Sequence, residues 1–292
     1  MFELENVYNQ KVLLEFPQGI TVSIKREDLL HPEVSGNKFR KLKYNIQKAM
    51  ELGYTQLLTF GGAYSNHIAA TAAAGRIMGI KTIGVIRGDE LVDKYKDNPT
   101  LVKAEQDGMQ FKFVSRTAYR EKSSVAFLQE LEEEFGSVYI VPEGGTNAEA
   151  IKGTAEILKE EDQVFDYISV AVGTGGTIAG IINSSGSNQK ILGFPALKGD
   201  FLSEEINNFA HNSNWELIHD YHFGGYAKYN EQLLFFISSF KEKTGILLDP
   251  IYTGKMVYGI FDLINKGYFP PDSKILMIHT GGLQGWNESI KI

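Results

Sequence analysis

Residues 167–177 read Tyr-Ile-Ser-Val-Ala-Val-Gly-Thr-Gly-Gly-Thr, an apolar strand candidate that runs directly into a glycine- and threonine-rich turn. The turn lacks the third glycine of the dinucleotide fingerprint, because Ile178 stands there, and it lacks the Gly-Lys-Ser/Thr of a P-loop. Consecutive backbone N–H groups and the hydroxyls of Thr174 and Thr177 would form a compact nest that suits a single phosphate. The segment therefore predicts a strand, an anion-binding turn and a helix in succession.

The same order of strand, glycine pair and polar residue occurs at three other places. The pairs Gly61-Gly62, Gly144-Gly145 and Gly281-Gly282 each follow a β-rich run. Glycine permits a sharp turn and close approach of a ligand, and the N-terminus of a following helix attracts anions. Ordinary βα turns also use glycine, but ligands of open parallel sheets bind beyond the carboxyl ends of the strands. Four such turns favour one cleft that holds an anionic ligand.

Strand and helix candidates alternate along the chain, which favours an α/β fold with largely parallel sheets. The strand candidates are residues 20–26, 55–60, 81–87, 109–114, 138–142, 167–172, 190–195, 215–220 and 274–279. The helix candidates are residues 37–52, 65–78, 98–107, 123–135, 147–160, 176–184, 229–243 and 255–266. Because no Pro/Gly-rich linker occurs, we expect a second domain to be inserted within the first.

Composition excludes several classes of protein. The 292 residues include no cysteine, which rules out disulfides, thiolate metal sites and a cysteine nucleophile. The net charge of −7 disfavours a nucleic-acid or anionic-membrane partner. The acidic start does not resemble a secretory signal, and no apolar run is long enough to span a membrane. We therefore expect a cytoplasmic protein.

Lys38 is the first candidate for a reactive group. It follows Ser35-Gly36-Asn37 in the first turn of a predicted helix, where the helix dipole opposes a positive charge. That placement is costly for a structural lysine but useful for one that must lose its proton to attack a carbonyl. We interpret the other basic residues of this helix, Arg40, Lys41 and Lys43, as a solvated face.

Two further patterns are not interpreted as sites. Ser65 lies outside any Gly-x-Ser-x-Gly turn, which argues against a hydrolase nucleophile. The segment His219-Asp220-Tyr221-His222 has a spacing seen in metal sites, but on a strand-like run the two imidazoles would diverge. No metal is expected.

In order along the chain, the motifs Lys-Arg-Glu-Asp-Leu-Leu (25–30), Ser-Gly-Asn-Lys-Phe-Arg-Lys-Leu (35–42), Gly-Gly-Ala-Tyr-Ser-Asn-His (61–67), Gly-Thr-Gly-Gly-Thr (173–177), Asp-Pro-Ile-Tyr-Thr-Gly-Lys (249–255) and His-Thr-Gly-Gly (279–282) resemble one family. It is that of 1-aminocyclopropane-1-carboxylate deaminase and D-cysteine desulfhydrase, pyridoxal-phosphate enzymes of the tryptophan-synthase-β-like, type II fold. The resemblance implies two open twisted sheets flanked by helices and a homodimer. It also implies a large cofactor domain (1–44 and 151–292) and a small inserted domain (45–150).

The resemblance also implies roles for individual residues. Lys38 would form the Schiff base with pyridoxal 5'-phosphate and later shuttle the substrate proton. Asn66 would bond the cofactor's ring oxygen, and Thr280 would face the pyridine nitrogen. The cofactor phosphate would lie on Gly173, Thr174, Gly175, Gly176 and Thr177. The substrate would meet Ser65, Asn66, His67, Tyr226 and Tyr252, of which Ser65 and Tyr252 are also catalytic candidates.

The substrate is less sharply indicated than the cofactor. In the deaminases proper, a glutamate follows the tyrosine of the Asp-Pro-x-Tyr segment, whereas here Thr253 follows Tyr252. We therefore expect β-elimination from D-cysteine, giving pyruvate, ammonia and sulfide, in preference to opening of the cyclopropane acid. A deaminase is the alternative, and β-replacement or racemisation on the same fold also stays open. A non-catalytic protein that binds a phosphorylated metabolite would use the same turns.

Overall fold

The computed structural model describes residues 7–199, 201–283 and 286, and it confirms an α/β fold with two open sheets flanked by helices. The strands are β1 (Asn9–Lys11), β2 (Thr21–Lys25), β3 (Gln56–Gly61), β4 (Lys81–Arg87), β5 (Met109–Val114), β6 (Tyr139–Val141), β7 (Tyr167–Val172), β8 (Lys190–Pro195), β9 (Trp215–Leu217) and β10 (Lys274–Ile278). The helices are α1 (Gly36–Glu51), α2 (Asn66–Met78), α3 (Pro99–Gln106), α4 (Arg116–Arg120), α5 (Val125–Phe135), α6 (Ala148–Thr154), α7 (Gly176–Ser184), α8 (Phe201–Asn207), α9 (Glu231–Thr244) and α10 (Thr253–Asn265).

The larger sheet draws its strands from the two ends of the chain. Its order is β1-β2-β10-β7-β8-β9, and every pairing is parallel except that of β1 with β2. Apolar layers cover both of its faces, one that includes Met256 and Ile260 of α10 and one that includes Ile178 and Ile182 of α7. Burial on both faces explains why β7 is an almost continuous apolar run.

The smaller sheet has the order β5-β4-β3-β6 and is parallel throughout. All its strands come from residues 56–141, inside the range predicted for the small domain. The predicted boundary at residue 44 falls within α1, whose Leu42 and Ile46 pack in one apolar cluster with Leu57 of β3 and Val141 of β6. The division into domains stays a prediction.

Two predicted elements are shorter than expected. The strand candidate 215–220 ends at Leu217. Residues His219–Tyr221 form a 3-10 turn, and the Tyr221 hydroxyl donates to Asp262 of α10 at 2.7 Å. The helix candidate 147–160 ends at Thr154. A 3-10 turn, Glu160–Val164, follows. The Asp162 carboxylate accepts from the backbone N–H of Lys159, which precedes this turn, at 2.8 Å.

Three short elements, β1, α4 and α8, lie where no element was predicted. Elements of three to seven residues carry little periodicity and depend on their neighbours, as β1 depends on its pairing with β2. Among the residues described, no helix combines the length and apolarity needed to cross a membrane.

Candidate active site

The four glycine pairs lie at or just beyond the carboxyl ends of β3, β6, β7 and β10, and the fold brings the four turns together. A Cβ atom on Gly144 would lie 2.7 Å from the side chain of Thr174. A Cβ atom on Gly282 would lie 2.9 Å from Nδ2 of Asn66. Each of these contacts joins a turn of the smaller sheet to a turn of the larger one. The two sheets therefore direct their carboxyl edges at one cleft.

The start of α1 docks on the turn that follows β10. The Asn37 backbone N–H donates to the Thr280 carbonyl oxygen at 3.2 Å. Gly36 has φ +56°, and a Cβ atom there would lie 2.1 Å from the same oxygen. Only glycine allows this approach, so the Ser-Gly-Asn sequence fixes where the next residue, Lys38, enters the cleft.

Lys38 is the third residue of α1, as the sequence predicted, and its side chain is only partly exposed. Its Nζ atom donates to the Gly144 carbonyl oxygen at 3.2 Å. Burial lowers the pKa of Lys38 to about 8, although the nearby charge of Glu143 opposes the shift. The unprotonated amine, which a nucleophile or base requires, is therefore more populated near neutral pH than in an ordinary lysine.

The interpretation of this basic face as solvated is wrong for Arg40 and Lys41, whereas the Lys43 side chain is 37% exposed. Arg40 is 6% exposed and forms a two-pronged ion pair with the buried Glu27, at 2.9 and 3.0 Å. Lys41 is 1% exposed, and Lys43 bonds Glu156 at 2.7 Å. The error arises because α1 packs against α6 as well as the smaller sheet, which the periodicity of a single helix does not reveal.

Hydrogen-bond donors surround the turn 173–177. Gly175 has φ +81° and precedes α7, whose first N–H groups have no side-chain cap. The Thr177 hydroxyl oxygen accepts from Asn37 Nδ2 at 2.8 Å, which leaves its hydrogen free to donate. The Thr146 and Thr174 hydroxyls lie 2.7 Å apart beside the turn.

Lys41 supplies the positive charge of this turn, and the sequence interpretation missed it. Its Nζ atom donates to the Gly144 carbonyl at 2.8 Å and to the Thr146 hydroxyl at 3.1 Å. A Cβ atom on Gly176 would lie 3.0 Å from Nζ. Burial and the charge of Lys38 lower the pKa of Lys41, and no acidic side chain among the described residues pairs with it. Its spacing of three residues from Lys38 on a helix was the available signal.

This set of groups fits the phosphate of pyridoxal phosphate. It consists of a buried ammonium, three hydroxyls and a helix N-terminus, with glycines where side chains would fill the space. A buried cation without an acidic partner is costly unless an anion accompanies it. Lys41, Thr146 and the turn 173–177 are the residues that could hold the phosphate, with Lys38 within the same cleft.

Ser65 begins α2 as an N-cap, and its hydroxyl oxygen accepts from the Ile68 backbone N–H at 3.3 Å. Asn66 is the first residue of the helix and extends its amide toward Gly282, next to Thr280. The Thr280 hydroxyl has no hydrogen bond with any described residue. Asn66 and Thr280 therefore offer polar groups to the cleft from opposite sheets.

The His67 side chain does not line the open cleft. It is 1% exposed, and its Nε2 lies 2.9 Å from the Thr59 hydroxyl, which itself donates to the Val141 carbonyl. Nε2 must therefore carry the hydrogen, and Nδ1 is a buried acceptor without a hydrogen bond. Burial and the charges of Lys38 and Lys41 lower the pKa of His67 well below its usual value. Only the backbone N–H of His67 is available for the predicted carboxylate contact.

The rings of Tyr252 and Tyr226 pack edge to face beside the turn 173–177. Their ring centroids lie 6.1 Å apart at 62°. A Cβ atom on Gly173 would lie 3.4 Å from the Tyr252 ring, so this ring covers the start of the phosphate turn. Burial raises the pKa of both phenols, and the proximity of Tyr226 raises that of Tyr252 further. Tyr252 therefore stays protonated at neutral pH and can donate a hydrogen bond.

Thr253 is fully buried, and its hydroxyl donates to Asp249 Oδ1 at 2.6 Å. The Asp249 carboxylate also accepts from three backbone N–H groups at the start of α10, those of Ile251, Tyr252 and Thr253. The acid nearest the Tyr252 backbone is thus Asp249, which the sequence interpretation quoted only as part of a motif. Thr253 holds this helix start together.

Glu143 is a second acid that the sequence interpretation missed. One carboxylate oxygen accepts from the Tyr119 hydroxyl at 2.9 Å, and the other lies 3.3 Å from Lys122 Nζ. The negative charge of Glu143 acts on three groups of the cleft. It partly offsets the lowering of the Lys38 pKa by burial, and it adds to the raised pKa values of Tyr226 and Tyr252. In the part of the chain that the structure describes, no three His, Asp or Glu side chains are placed to hold a metal ion.

Comparison with known proteins agrees with a cleft that could hold pyridoxal phosphate. Residues 13–281 match the family model described as "Pyridoxal-phosphate dependent enzyme". The chain is 32% identical to a Pyrococcus horikoshii protein named "Putative 1-aminocyclopropane-1-carboxylate deaminase", covering 91% of this chain and 86% of that one. It is also 32% identical to the mitochondrial "Bifunctional D-cysteine desulfhydrase/1-aminocyclopropane-1-carboxylate deaminase" of Arabidopsis thaliana, covering 94% and 75%. A solved structure of an ACC deaminase homologue superposes with a TM-score of 0.81 at 29% identity, covering 96% and 90%.

Proposed function

Because this chain belongs to the family of pyridoxal-phosphate-dependent enzymes, we propose that it catalyses β-elimination from a small amino acid with a good leaving group, with D-cysteine as its model substrate. The products are pyruvate, ammonia and sulfide. The observation that carries the proposal is the placement of an amine and a phenol in one cleft: Lys38 Nζ lies 3.2 Å from the Gly144 carbonyl oxygen, and the Tyr252 ring lies 3.4 Å from the Cβ position of Gly173. Burial lowers the pKa of Lys38 to about 8, which favours its action as the base.

When bound, pyridoxal phosphate withdraws electrons from the bonds at the substrate α-carbon. The Lys38 amine takes the proton from the α-carbon. The Cβ–S bond breaks with its electron pair on sulfur, which leaves as hydrosulfide, and the Tyr252 hydroxyl donates a hydrogen bond to the departing sulfur while keeping its proton. The released enamine then reacts with water to give pyruvate and ammonia.

The remaining residues of the cleft bind and orient. The turn 173–177 and Lys41 hold the cofactor phosphate, Asn66 contacts the ring oxygen, and Thr280 faces the ring nitrogen. The substrate carboxylate lies at the start of α2, against Ser65 and the backbone N–H groups of Asn66 and His67. A neutral hydroxyl does not keep the ring nitrogen protonated, so the ring would accept little negative charge. This favours prompt loss of a leaving group over racemisation.

Opening of the cyclopropane acid is the second candidate, because two relatives carry that activity in their names. This substrate has no Cα–H bond, so its reaction requires a nucleophile or a base that acts at the ring carbons. Raised pKa values oppose formation of a phenolate on Tyr252 or Tyr226. The buried Thr253, bonded to Asp249, supplies no acid or base in its place.

A substrate panel tests the proposal. Purified enzyme loaded with cofactor is given D- and L-amino acids and the cyclopropane acid, and 2-oxo-acid and sulfide release are measured. Sulfide and pyruvate in equal amounts from D-cysteine are expected. Faster release of 2-oxo acid from the cyclopropane acid than from D-cysteine would contradict the proposal. We also propose that the protein is cytoplasmic, on the basis of its composition, which cell fractionation tests. We propose a homodimer on the basis of the family resemblance, which light scattering tests.

A further inference from the structure

Tyr226 lies on a loop with an unusual backbone. Within residues 222–228, Phe223, Gly224, Gly225 and Ala227 all have positive φ, at +52°, +96°, +115° and +55°. Two of these are not glycine, and left-handed conformations of such residues are unfavourable unless their surroundings enforce them. Some contact must therefore hold this loop, which we call the Tyr226 loop.

Lys255 makes that contact. It is the third residue of α10 and is 2% exposed. Its Nζ atom donates to the carbonyl oxygens of His222 and Gly225, both at 2.9 Å. No described acidic side chain forms an ion pair with it. Burial lowers its pKa to about 8, against the opposing charge of Asp249. The buried ammonium of Lys255 thus bonds two carbonyl oxygens of one loop.

The same helix start carries the partner of Tyr226. Tyr252 is the N-cap residue of α10, three residues before Lys255. Phe223 also packs edge-on against Tyr258 of this helix, with ring centroids 5.1 Å apart. The first two turns of α10 therefore hold both Tyr252 and the backbone that presents Tyr226. Since the Gly225 carbonyl immediately precedes Tyr226 and that of His222 lies four residues before it, movement of Lys255 would displace the Tyr226 phenol from Tyr252.

We propose that Lys255 is the positioning residue for Tyr226: its ammonium fixes the Tyr226 loop so that the Tyr226 phenol lies against Tyr252 on the substrate side of the cleft. Lys255 itself touches neither phenol group in this arrangement and acts through the loop backbone. The inference rests on the proposed function only for the role of Tyr226 toward substrate.

The first test measures the loop without any substrate. Hydrogen exchange is followed at the amides of Gly224, Gly225 and Lys228, which are bonded within the loop. Lys255→Met keeps the length of the side chain and removes the donor. We expect exchange at these amides to become at least about tenfold faster, roughly the ratio that one hydrogen bond to a charged group provides. Lys255→Arg, which retains donors, should recover part of the protection.

Lys198→Met is the matched control. The stem of this exposed lysine lies 3.7 Å from the Cβ position of Gly225, but it makes no hydrogen bond to the loop. It should leave loop exchange unchanged. Thermal melting of both Met variants checks that each is folded. Unchanged exchange in folded Lys255→Met, or equal acceleration in Lys198→Met, would overturn the proposal.

The second test is a kinetic double-mutant cycle with the amino acid that the panel identifies as substrate. If Lys255 acts through Tyr226, Lys255→Met raises KM in the wild-type background and has little effect once Tyr226→Phe is present. Independent, multiplying effects would contradict the proposal. If no amino acid of the panel undergoes β-elimination but hydrogen exchange in the loop changes as expected, the proposed function is wrong and the positioning role of Lys255 is supported.

Discussion

Lys38 and Lys41, one helical turn apart on α1, donate to the same acceptor: their Nζ atoms lie 3.2 and 2.8 Å from the Gly144 carbonyl oxygen. The charge of Lys38 lowers the pKa of Lys41, so the two ammonium groups disfavour each other in a buried space. An anion beside Lys41 and covalent attachment at Lys38 would each remove part of that repulsion. We therefore propose that Lys41 binds the cofactor phosphate and that Lys38 attacks the reactive carbonyl.

Lys38 is expected to carry the cofactor. Borohydride reduction followed by peptide mapping should label Lys38, and attachment to the cofactor-free protein should accelerate as pH rises toward its pKa of about 8. The reason is that only the unprotonated amine attacks a carbonyl. A label on Lys41 or Lys43 would refute the assignment.

Lys41→Met should weaken cofactor retention yet stabilise the cofactor-free protein. The folded-state pKa of Lys41 lies below its unfolded value, so the protonated amine destabilises the fold at neutral pH. This cost disappears as pH rises through the unfolded value near 10.4. Thermal melts at pH 7 and pH 10 measure it, with Lys43→Met as control. A Lys41→Met protein that keeps its cofactor as well as wild type would remove Lys41 from the phosphate site.

The turn 173–177 is tested by two matched glycine substitutions. Gly175 and Gly53 have φ values of +81° and +77°, but only Gly175 belongs to the turn, and a Cβ atom on Gly53 contacts nothing. Alanine at Gly53 should cost about 1 kcal/mol of stability, and alanine at Gly175 should cost more, because its Cβ atom would lie 3.1 Å from Ile206 Cγ1. Only Gly175→Ala should release cofactor, as equilibrium dialysis would show. Equal cofactor affinity in the two variants would count against the turn.

Thr280 is expected to face the pyridine nitrogen. Thr280→Ala should keep the cofactor bound, because the phosphate and Lys38 contacts remain, but slow turnover. Thr280→Asp should hold the ring nitrogen protonated and increase exchange of the substrate Cα–H with solvent. Deuterium incorporation measured by mass spectrometry decides this. If Thr280→Asp leaves both exchange and the product ratio as in wild type, another group contacts the nitrogen.

Tyr252→Phe separates the two candidate reactions. Loss of a hydrogen bond to a charged group costs up to about 3 kcal/mol, and we expect a decrease of about 10²-fold in sulfide release from D-cysteine. Any opening of the cyclopropane acid should disappear. Steady-state assays on both substrates provide the comparison, and Tyr258→Phe, on the same helix outside the cleft, is the control. Unchanged sulfide release in Tyr252→Phe would exclude a contact between Tyr252 and the departing sulfur.

The sequence by itself determined the α/β fold and the position of Lys38 in the first turn of α1. It also located the four glycine turns, because these features depend on local periodicity, turn chemistry and helix capping. Only the tertiary structure decided that Lys41 is buried beside the phosphate turn, that Thr253 bonds Asp249, and that Lys255 holds the Tyr226 loop. In each case the decisive neighbour is a carbonyl or carboxylate that the side chain meets only after packing. The sequence around a lysine does not indicate whether its charge will face water or a buried acceptor, because packing between distant segments sets that environment.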